Sequence, residues 1–112
     1  MYNRSPGKKT TSVAVAQLPE RYVIVRTYSA GCFAGIFVAR NGQEVKLRDA
    51  RRLWYWKGAA SLSQLAMSGT SDPKGCKFPE PVTRIELLQA IEVIDCSSIG
   101  RASIEAVAPW RA

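Results

Sequence analysis

Basic and aromatic side chains are interleaved over a short stretch in the middle of the chain, between Lys46 and Trp56. An arginine guanidinium presents a fork of N–H donors that matches phosphate oxygens, and a lysine ammonium attracts the same group as a point charge. The flat faces of tryptophan and tyrosine stack on nucleobases. The stretch therefore predicts a surface that holds a flat, anionic ligand. The candidate ligand-binding residues in it are Lys46, Arg48, Arg51, Arg52, Trp54, Tyr55 and Trp56.

A second set of candidates lies between Thr70 and Pro81, a segment with three prolines that we interpret as a long loop. Loops of this length often carry function. Lys77, and with it Lys74, is therefore a further candidate for contact with the ligand.

Two alternatives to a ligand site stay open for these residues. Aromatic side chains bury well, so Leu53 and some of the aromatics are also expected as core residues, and Arg52 would then stack on the indoles without touching a ligand. Successive side chains of a strand point to opposite faces, so Arg51 and Arg52 cannot both serve one pocket within a single subunit. Either one of them is structural, paired with Asp49 or a helix-end carbonyl, or a dimer interface brings both to the site.

Residue types that usually carry catalysis are sparse. The chain contains no histidine, which excludes Ser-His-Asp and Cys-His catalysis. Its three cysteines, Cys32, Cys76 and Cys96, show no Cys-x-x-Cys spacing, and we interpret them as buried thiols in a reducing compartment and not as zinc ligands. We therefore expect a protein that is not an enzyme and that uses no metal and no cofactor.

Positive charge is concentrated in the first half of the chain. The net charge of the 112 residues is +7. Residues 1–57 contain 11 Lys and Arg against 3 Asp and Glu, a net +8, whereas residues 58–112 contain 5 against 6, a net −1. This distribution favours phosphate-bearing partners, and a solubilising surface explains it about equally well. No apolar run reaches the roughly 20 residues that cross a membrane, so we expect a soluble, intracellular protein without membrane association.

The hydrophobic pattern predicts an α+β fold. We expect an antiparallel sheet of four to five strands, arranged as a meander with an Asn-Gly hairpin, together with two short helices. Residues 1–20 are expected to form a flexible, basic N-terminal arm, and residues 21–112 a single domain.

The hairpin is the most specific of these structural expectations. Asn41-Gly42 predicts a type I′ turn, and a two-residue loop at these positions fixes the register of the flanking strands. The apolar side chains next to the turn are then expected on one buried face. The predicted cross-strand pairs are Val38 with Val45 and Ile36 with Leu47.

The helices are predicted from their capping residues. Ser61 to Gln64 has capping-box spacing and begins the first helix, and Ser97 or Ser98 caps the second. Ile99, Ala102 and Ala106 then lie on one face of the second helix, which Pro109 ends. Between the two helices, residues 84–96 alternate as in a strand with a bulge near Leu88-Gln89, although their spacing also suits a helix.

Over roughly residues 22–110 the chain resembles a family of small proteins found mainly in bacteriophage genomes and classed as a domain of unknown function. The resemblance lies in Gly31-x-Phe33-Ala34-Gly35, Asn41-Gly42, Val45, Leu47, the run from Ala50 to Trp56, and Gly58-Ala59, Ser61-Leu62 and Leu65-Ala66. It implies a phage origin and a host-cell setting. The family's function is unknown, so the resemblance assigns no role to any residue.

Three classes of function agree with these features. The first is non-catalytic capture of a phosphate-bearing nucleotide signal, by which a phage would counter host defence, and the expected state is a symmetric homo-oligomer in the host cytoplasm. The second is a nucleic-acid-binding accessory protein. The third is a structural component of the virion, with a host or phage protein as its partner.

Overall fold

The computed structural model describes residues 20–112, which form five β-strands, two α-helices and one 3₁₀ turn. The strands are β1 (Tyr22–Thr27), β2 (Cys32–Asn41), β3 (Glu44–Arg52), β4 (Val82–Leu87) and β5 (Ala90–Asp95), the helices are α1 (Leu62–Ser68) and α2 (Ser98–Ala106), and the 3₁₀ turn is Pro73–Gly75. All strand pairings are antiparallel. The predicted α+β class is confirmed. The predicted N-terminal arm, apart from Glu20, lies outside the described residues.

The connection between the two edge strands forces the sheet to curl. The strand order is β4-β3-β2-β1-β5, so the edge strands β4 and β5 are consecutive in the chain. In a flat sheet these edges would lie about 19 Å apart, which is four spacings of about 4.8 Å. Only Leu88 and Gln89 join them, a link that spans roughly 10 Å at full extension. The sheet therefore bends round into a partly open barrel.

β4 and β5 together behave as one interrupted strand. The first half pairs with β3 and the second half pairs with β1, on the other side of the opening. The interruption at Leu88-Gln89 lies where the alternating pattern predicts a bulge. The strand interpretation of residues 84–96 is therefore confirmed, and the break allows the strand to pass from one edge of the sheet to the other.

The curl gives the domain two cores, and β1 contributes to both. Val23 and Ile24 are adjacent, point to opposite faces and are both fully buried. The inner core lies inside the curl and comprises Val23, Val25, Phe33, Val45, Leu47, Ala50, Leu87 and Ala90. The outer core lies beneath the helices and comprises Tyr22, Ile24, Ala34, Ile36, Leu53, Leu65, Ala66, Cys76, Phe78, Ile104 and Val107.

The β2–β3 hairpin is present, but its predicted turn type is wrong. Asn41 and Glu44 form the closing pair, so the two loop residues are Gly42 and Gln43. Gly42 has a φ of 62°, whereas neither Asn41 nor Gln43 has a positive φ. A type I′ turn needs positive φ at both central positions, and a type II′ turn needs a glycine at the first one only. The glycine therefore occupies the first loop position and not the second.

This one-residue shift changes the predicted register. Phe37 and not Ile36 faces Leu47, and an irregularity between Phe37 and Ala39 sets this pair. Val45 and Leu47 lie in the inner core, whereas Ile36 lies in the outer core beneath the helices. Val38, expected on the buried face, is 53% exposed. The four side chains therefore do not share a face.

A bulge in β3 decides which way its last residues point. Asp49 has a φ of 49°, and the pairing of β3 with β2 shifts its register here. Before the bulge the odd-numbered residues of β3 point into the curl, and after it the even-numbered Ala50 and Arg52 do. The bulge therefore directs Arg51 toward the helices and Arg52 toward the rim of the inner core.

Both helices begin at the predicted caps, since the hydroxyls of Ser61 and Ser97 each accept a hydrogen bond from the amide three residues further on. The face of α2 that contains Ile99 is not the one that packs on the domain: Gly100 and Ile104 are buried and Ile99 is exposed. The reason is a close approach to α1, which only a residue without a side chain at position 100 permits. No helix within residues 20–112 is long and apolar enough to cross a membrane.

Candidate functional site

An open groove lies where the end of β3, the loop before β4 and the C-terminal segment meet. Its volume is about 440 Å³, and its lining residues are Ala30, Gly31, Cys32, Arg52, Leu53, Trp54, Pro79 and Trp110. Trp54 and Trp110 are 62% and 47% exposed. Tryptophan is enriched at binding interfaces, so this exposed pair makes the groove a candidate interaction site. We call this surface, together with the adjoining Tyr55 and Lys77, the aromatic–basic groove.

Backbone hydrogen bonds hold the chain segments of the groove in place. Tyr55 and Lys77 form an isolated antiparallel bridge, with N···O distances of 3.3 and 2.7 Å. The Trp110 amide donates to the Phe78 carbonyl at 2.9 Å, which attaches the C-terminal segment to the same loop. The groove is therefore fixed by main-chain contacts between segments that are distant in sequence.

Arg52 occupies one side of the groove and rests on the core. Its guanidinium carbon lies 4.6 Å from the centroid of the Phe33 ring, its cross-strand neighbour on β2. Arg52 therefore packs on a phenylalanine ring of the inner core. The sequence had left open a contact with the indoles instead. Within residues 20–112 no carboxylate pairs with Arg52. A cation–π contact occupies none of the guanidinium's N–H donors with a hydrogen bond, so these donors remain available to a ligand.

Lys77 lies between two aromatic rings. Its ammonium nitrogen is 5.5 Å from the centroid of Trp110 and 5.8 Å from that of Tyr55, which is 45% exposed. It too has no acidic partner among the described residues. Lys77 therefore adds a second free positive charge to the groove. Lys74 is exposed on the 3₁₀ turn and does not line the groove.

Arg51 leaves the opposite face of β3 and is only 4% exposed. Its Nη1 donates to the carbonyls of Ile104 (3.2 Å) and Val107 (2.8 Å), and its Nη2 to those of Phe78 (2.7 Å) and Pro79 (3.2 Å). Burial lowers the pKa of Arg51, while the partial negative charge of the α2 carbonyls favours its charged form. Of the alternatives left open by the sequence, the helix-end carbonyl is the one found. Arg51 is a structural residue and is not presented to a ligand.

Three further candidates lie outside the groove. Arg48 forms ion pairs with Glu20 and Asp49, and its hydrogen bond lowers the pKa of the Glu20 carboxyl. Lys46 is exposed on the same outer face of β3. Trp56 is partly buried and packs against the outer core. The structure thus gathers four of the eight candidate residues, namely Arg52, Trp54, Tyr55 and Lys77.

The three cysteines are free, and burial weakens the reactivity of Cys32 and Cys96. Burial raises the pKa of Cys32, and burial together with the charge of Asp95 raises the pKa of Cys96 to about 11. Cys76 is buried in the outer core. A thiol that stays protonated at neutral pH is a weak nucleophile and a weak metal ligand. In the described part of the chain no three or more Cys, Asp and Glu side chains are grouped so as to hold a metal ion.

Trp110 is the residue of the groove that sequence reasoning missed. It follows Pro109 and the final helix, a position typical of a chain end without a structural role. A tryptophan after Pro109 was the available signal, since tryptophan is enriched in cores and at interfaces. Nothing in the local pattern indicates that the C-terminal segment returns to Phe78.

A partly open, five-stranded antiparallel barrel with two helices on its outer face and an exposed aromatic–basic groove defines a small α+β domain. The chain belongs to the family DUF6948, described as a domain of unknown function, whose model matches residues 20–104. The expected membership of a family without assigned function is thereby confirmed, and the bacteriophage origin stays a prediction. The matched range includes Arg52, Trp54 and Lys77 and ends before Trp110. No curated protein and no solved structure matches the chain at a significant level.

Proposed function

We propose that this protein is a non-catalytic binding protein whose aromatic–basic groove holds a phosphate-bearing nucleotide. The observation that carries the proposal is the meeting of two exposed indoles with two cations, Arg52 and Lys77, that have no acidic partner within residues 20–112. A base would stack on the face of Trp54 or Trp110. The phosphate oxygens would accept hydrogen bonds from the guanidinium and the ammonium, which are stronger than neutral ones because the donors are charged.

The chemistry of the lining supports binding without reaction. The groove is lined by aromatic, aliphatic and basic side chains, and its single thiol, Cys32, has a pKa raised by burial. Capture of a ligand needs shape and charge complementarity and no group that transfers a proton or attacks a bond. The groove offers those two properties.

The biological role that we propose is capture of a nucleotide signal, by which a phage-type protein would counter host anti-phage defence in the host cytoplasm. The support is the chemistry of the groove together with the resemblance to small bacteriophage proteins. Native mass spectrometry of protein purified from phage-challenged cells tests this role. We expect a retained small anionic ligand that is absent from the Trp54→Ala variant. Protein that carries no ligand from challenged and unchallenged cells alike would contradict the role.

Single-stranded nucleic acid is the second candidate ligand, and one observation favours it. Lys77 lies between Trp110 and Tyr55, so basic and aromatic groups alternate along the groove. A strip in which stacking faces alternate with positive charges suits successive nucleotides of an unpaired strand. On this alternative the protein would be a nucleic-acid-binding accessory protein.

The salt dependence of binding separates the two ligands. A strand that contacts several phosphates should lose on the order of a hundredfold in affinity or more between about 50 and 200 mM salt, whereas a nucleotide held by two cations should lose about tenfold or less. Labelled single-stranded DNA and a panel of mono-, di- and cyclic nucleotides are titrated at both salt concentrations. Binding of neither set at low salt would contradict the proposed function.

A further inference from the structure

β4 is an edge strand that pairs on one side only. It is bonded to β3, and within residues 20–112 no strand pairs with its other side. An edge strand presents a row of free backbone N–H and C=O groups, and a strand from another chain can pair with it. β4 runs over six residues from Val82 to Leu87, with the turn at Leu88-Gln89 after it. The side chains of β4 indicate which partner fits.

Two opposite charges lie two residues apart on the outer face of β4. Arg84 and Glu86 are exposed, and neither has an ion pair among the described residues. Glu86 faces Lys46 across the sheet, but Arg84 faces Arg48. Like charges directly opposite each other destabilise a sheet pair. A carboxylate on a strand that pairs with the free edge of β4 would therefore offset the repulsion between Arg84 and Arg48.

We propose that the free edge of β4 is a dimer interface, in which β4 of a second copy of this chain pairs antiparallel about a two-fold axis at Ile85. In this register Ile85 faces its own copy, and Arg84 of each protomer faces Glu86 of its partner. The two-fold symmetry repeats the Arg–Glu pair, as an isologous interface requires. Each Arg84 then has a carboxylate on the side opposite Arg48, which relieves the like-charge contact.

The other edge of the sheet does not have this property. The outward charges of β5 are Glu92 and Asp95, and both are already paired with arginines of β1 or the residue before it, Arg26 and Arg21. β5 contains no basic residue, so a second copy of β5 would bring no opposite charge to either carboxylate. Charge complementarity therefore selects β4 as the self-pairing edge.

The interface is small, and the dimer should be correspondingly weak. Six residues of strand on each side form a contact well below the roughly 1,000 Å² of a stable complex. The expected behaviour is a concentration-dependent equilibrium between monomer and dimer, seen by sedimentation of the full chain over a range of concentrations. A chain that sediments as a monomer at every concentration would overturn the proposal.

Charge exchange tests the register. Arg84→Glu places two Glu–Glu contacts in the dimer and Glu86→Arg places two Arg–Arg contacts, so each variant alone should dimerise at least about tenfold more weakly than the parent chain. An equimolar mixture of the two variants should recover dimers, because every contact is then Glu–Arg. The Arg84→Glu/Glu86→Arg double variant should dimerise by itself for the same reason.

Two controls keep the result specific. The melting temperature of each variant shows that the monomer is folded, and Arg40→Glu, an exposed arginine beside the β2–β3 turn, makes the same charge change away from β4. Dimers that form equally well in all variants would show that another surface, or residues 1–19, makes the contact, and this outcome would overturn the proposal. Loss of dimers in both single variants without recovery in the mixture would overturn the proposed register.

Discussion

Arg51 and Arg52 are adjacent on β3 and have different surroundings because the bulge at Asp49 sets the faces to which they point. Arg51 enters the space between the end of α2 and the loop before β4, where four carbonyls surround its guanidinium. Arg52 emerges at the rim of the inner core, over Phe33 and beside Trp54. One arginine therefore holds the elements of the groove together, and the other is available to a ligand.

Replacement of Arg51 should destabilise the fold. Arg51→Ala removes a donor from four buried carbonyls, and those of Val107 and Pro79 then keep no other donor among the described residues, at a cost of about 1–3 kcal/mol for each unsatisfied group. Urea unfolding followed by circular dichroism measures the change. Arg52→Ala is the matched control and should shift the free energy of unfolding by less than about 1 kcal/mol, because its side chain is exposed. Equal losses for the two variants would contradict the distinction.

Two partly buried thiols and a buried phenol should make the protein sensitive to alkali. The pKa of Cys96 is raised from an ordinary 9.0 to about 11, and burial also raises the pKa values of Cys32 and Tyr22. The folded state keeps protons that the unfolded state loses, so stability is fully present below pH 9 and falls as pH rises toward 11. Cys96→Ala should unfold with a shallower dependence on pH than the parent chain. Identical profiles would show that Cys96 ionises as freely in the folded state as in the unfolded one.

At the scale of elements, the sequence predicts the hairpin and its strands but not the detail of their register. Asn41-Gly42 indicates a two-residue turn whether the glycine is the first or second loop residue, and the two cases differ by one position. A slip of one residue exchanges the faces of a strand. An irregularity in β2 at Val38 then places Phe37, and not Val38, opposite Leu47, and no local pattern in the sequence indicates it.

Paired truncations test the observed register. Leu47→Ala removes a side chain that is 1% exposed in the inner core and should cost about 2–5 kcal/mol. Val38→Ala should change stability by no more than about 0.5 kcal/mol, because the side chain is exposed. Denaturant midpoints of the two variants are compared with that of the parent chain. A large loss for Val38→Ala would favour the register in which it faces Val45.

The packing of α2 on α1 makes a further prediction. A Cβ on Gly100 would lie 1.8 Å from the Ala66 carbonyl oxygen, so the helices must move apart to accept one. Gly100→Ala should therefore destabilise the protein by about 1–3 kcal/mol or more, whereas the same change in an exposed helix stabilises by about 0.5–1 kcal/mol. The melting temperature, measured by thermal unfolding, shows whether Gly100→Ala stabilises or destabilises the protein. An increased melting temperature would show that α2 is not held so close to α1.

At the scale of the whole molecule, the candidate site was only half predictable. The run of basic and aromatic residues gave Arg52, Trp54 and Tyr55, and the proline-rich loop gave Lys77. Trp110 joins them through a main-chain bond to Phe78, a contact over 30 residues that no periodicity reveals. The exclusion of Arg51 likewise depends on where α2 ends relative to β3, which only the assembled fold sets.

We propose that Arg52 and Trp54 hold a nucleotide ligand in the groove. The affinity of variants for the tightest ligand of the nucleotide panel tests this proposal. Arg52→Ala and Trp54→Ala are compared with Arg40→Ala, which removes an exposed arginine of β2 outside the groove. We expect each groove variant to bind at least about tenfold more weakly, near 1.4 kcal/mol per contact, with its melting temperature unchanged and with Arg40→Ala binding like the parent chain. Parent-like affinity in folded Arg52→Ala and Trp54→Ala would contradict the account.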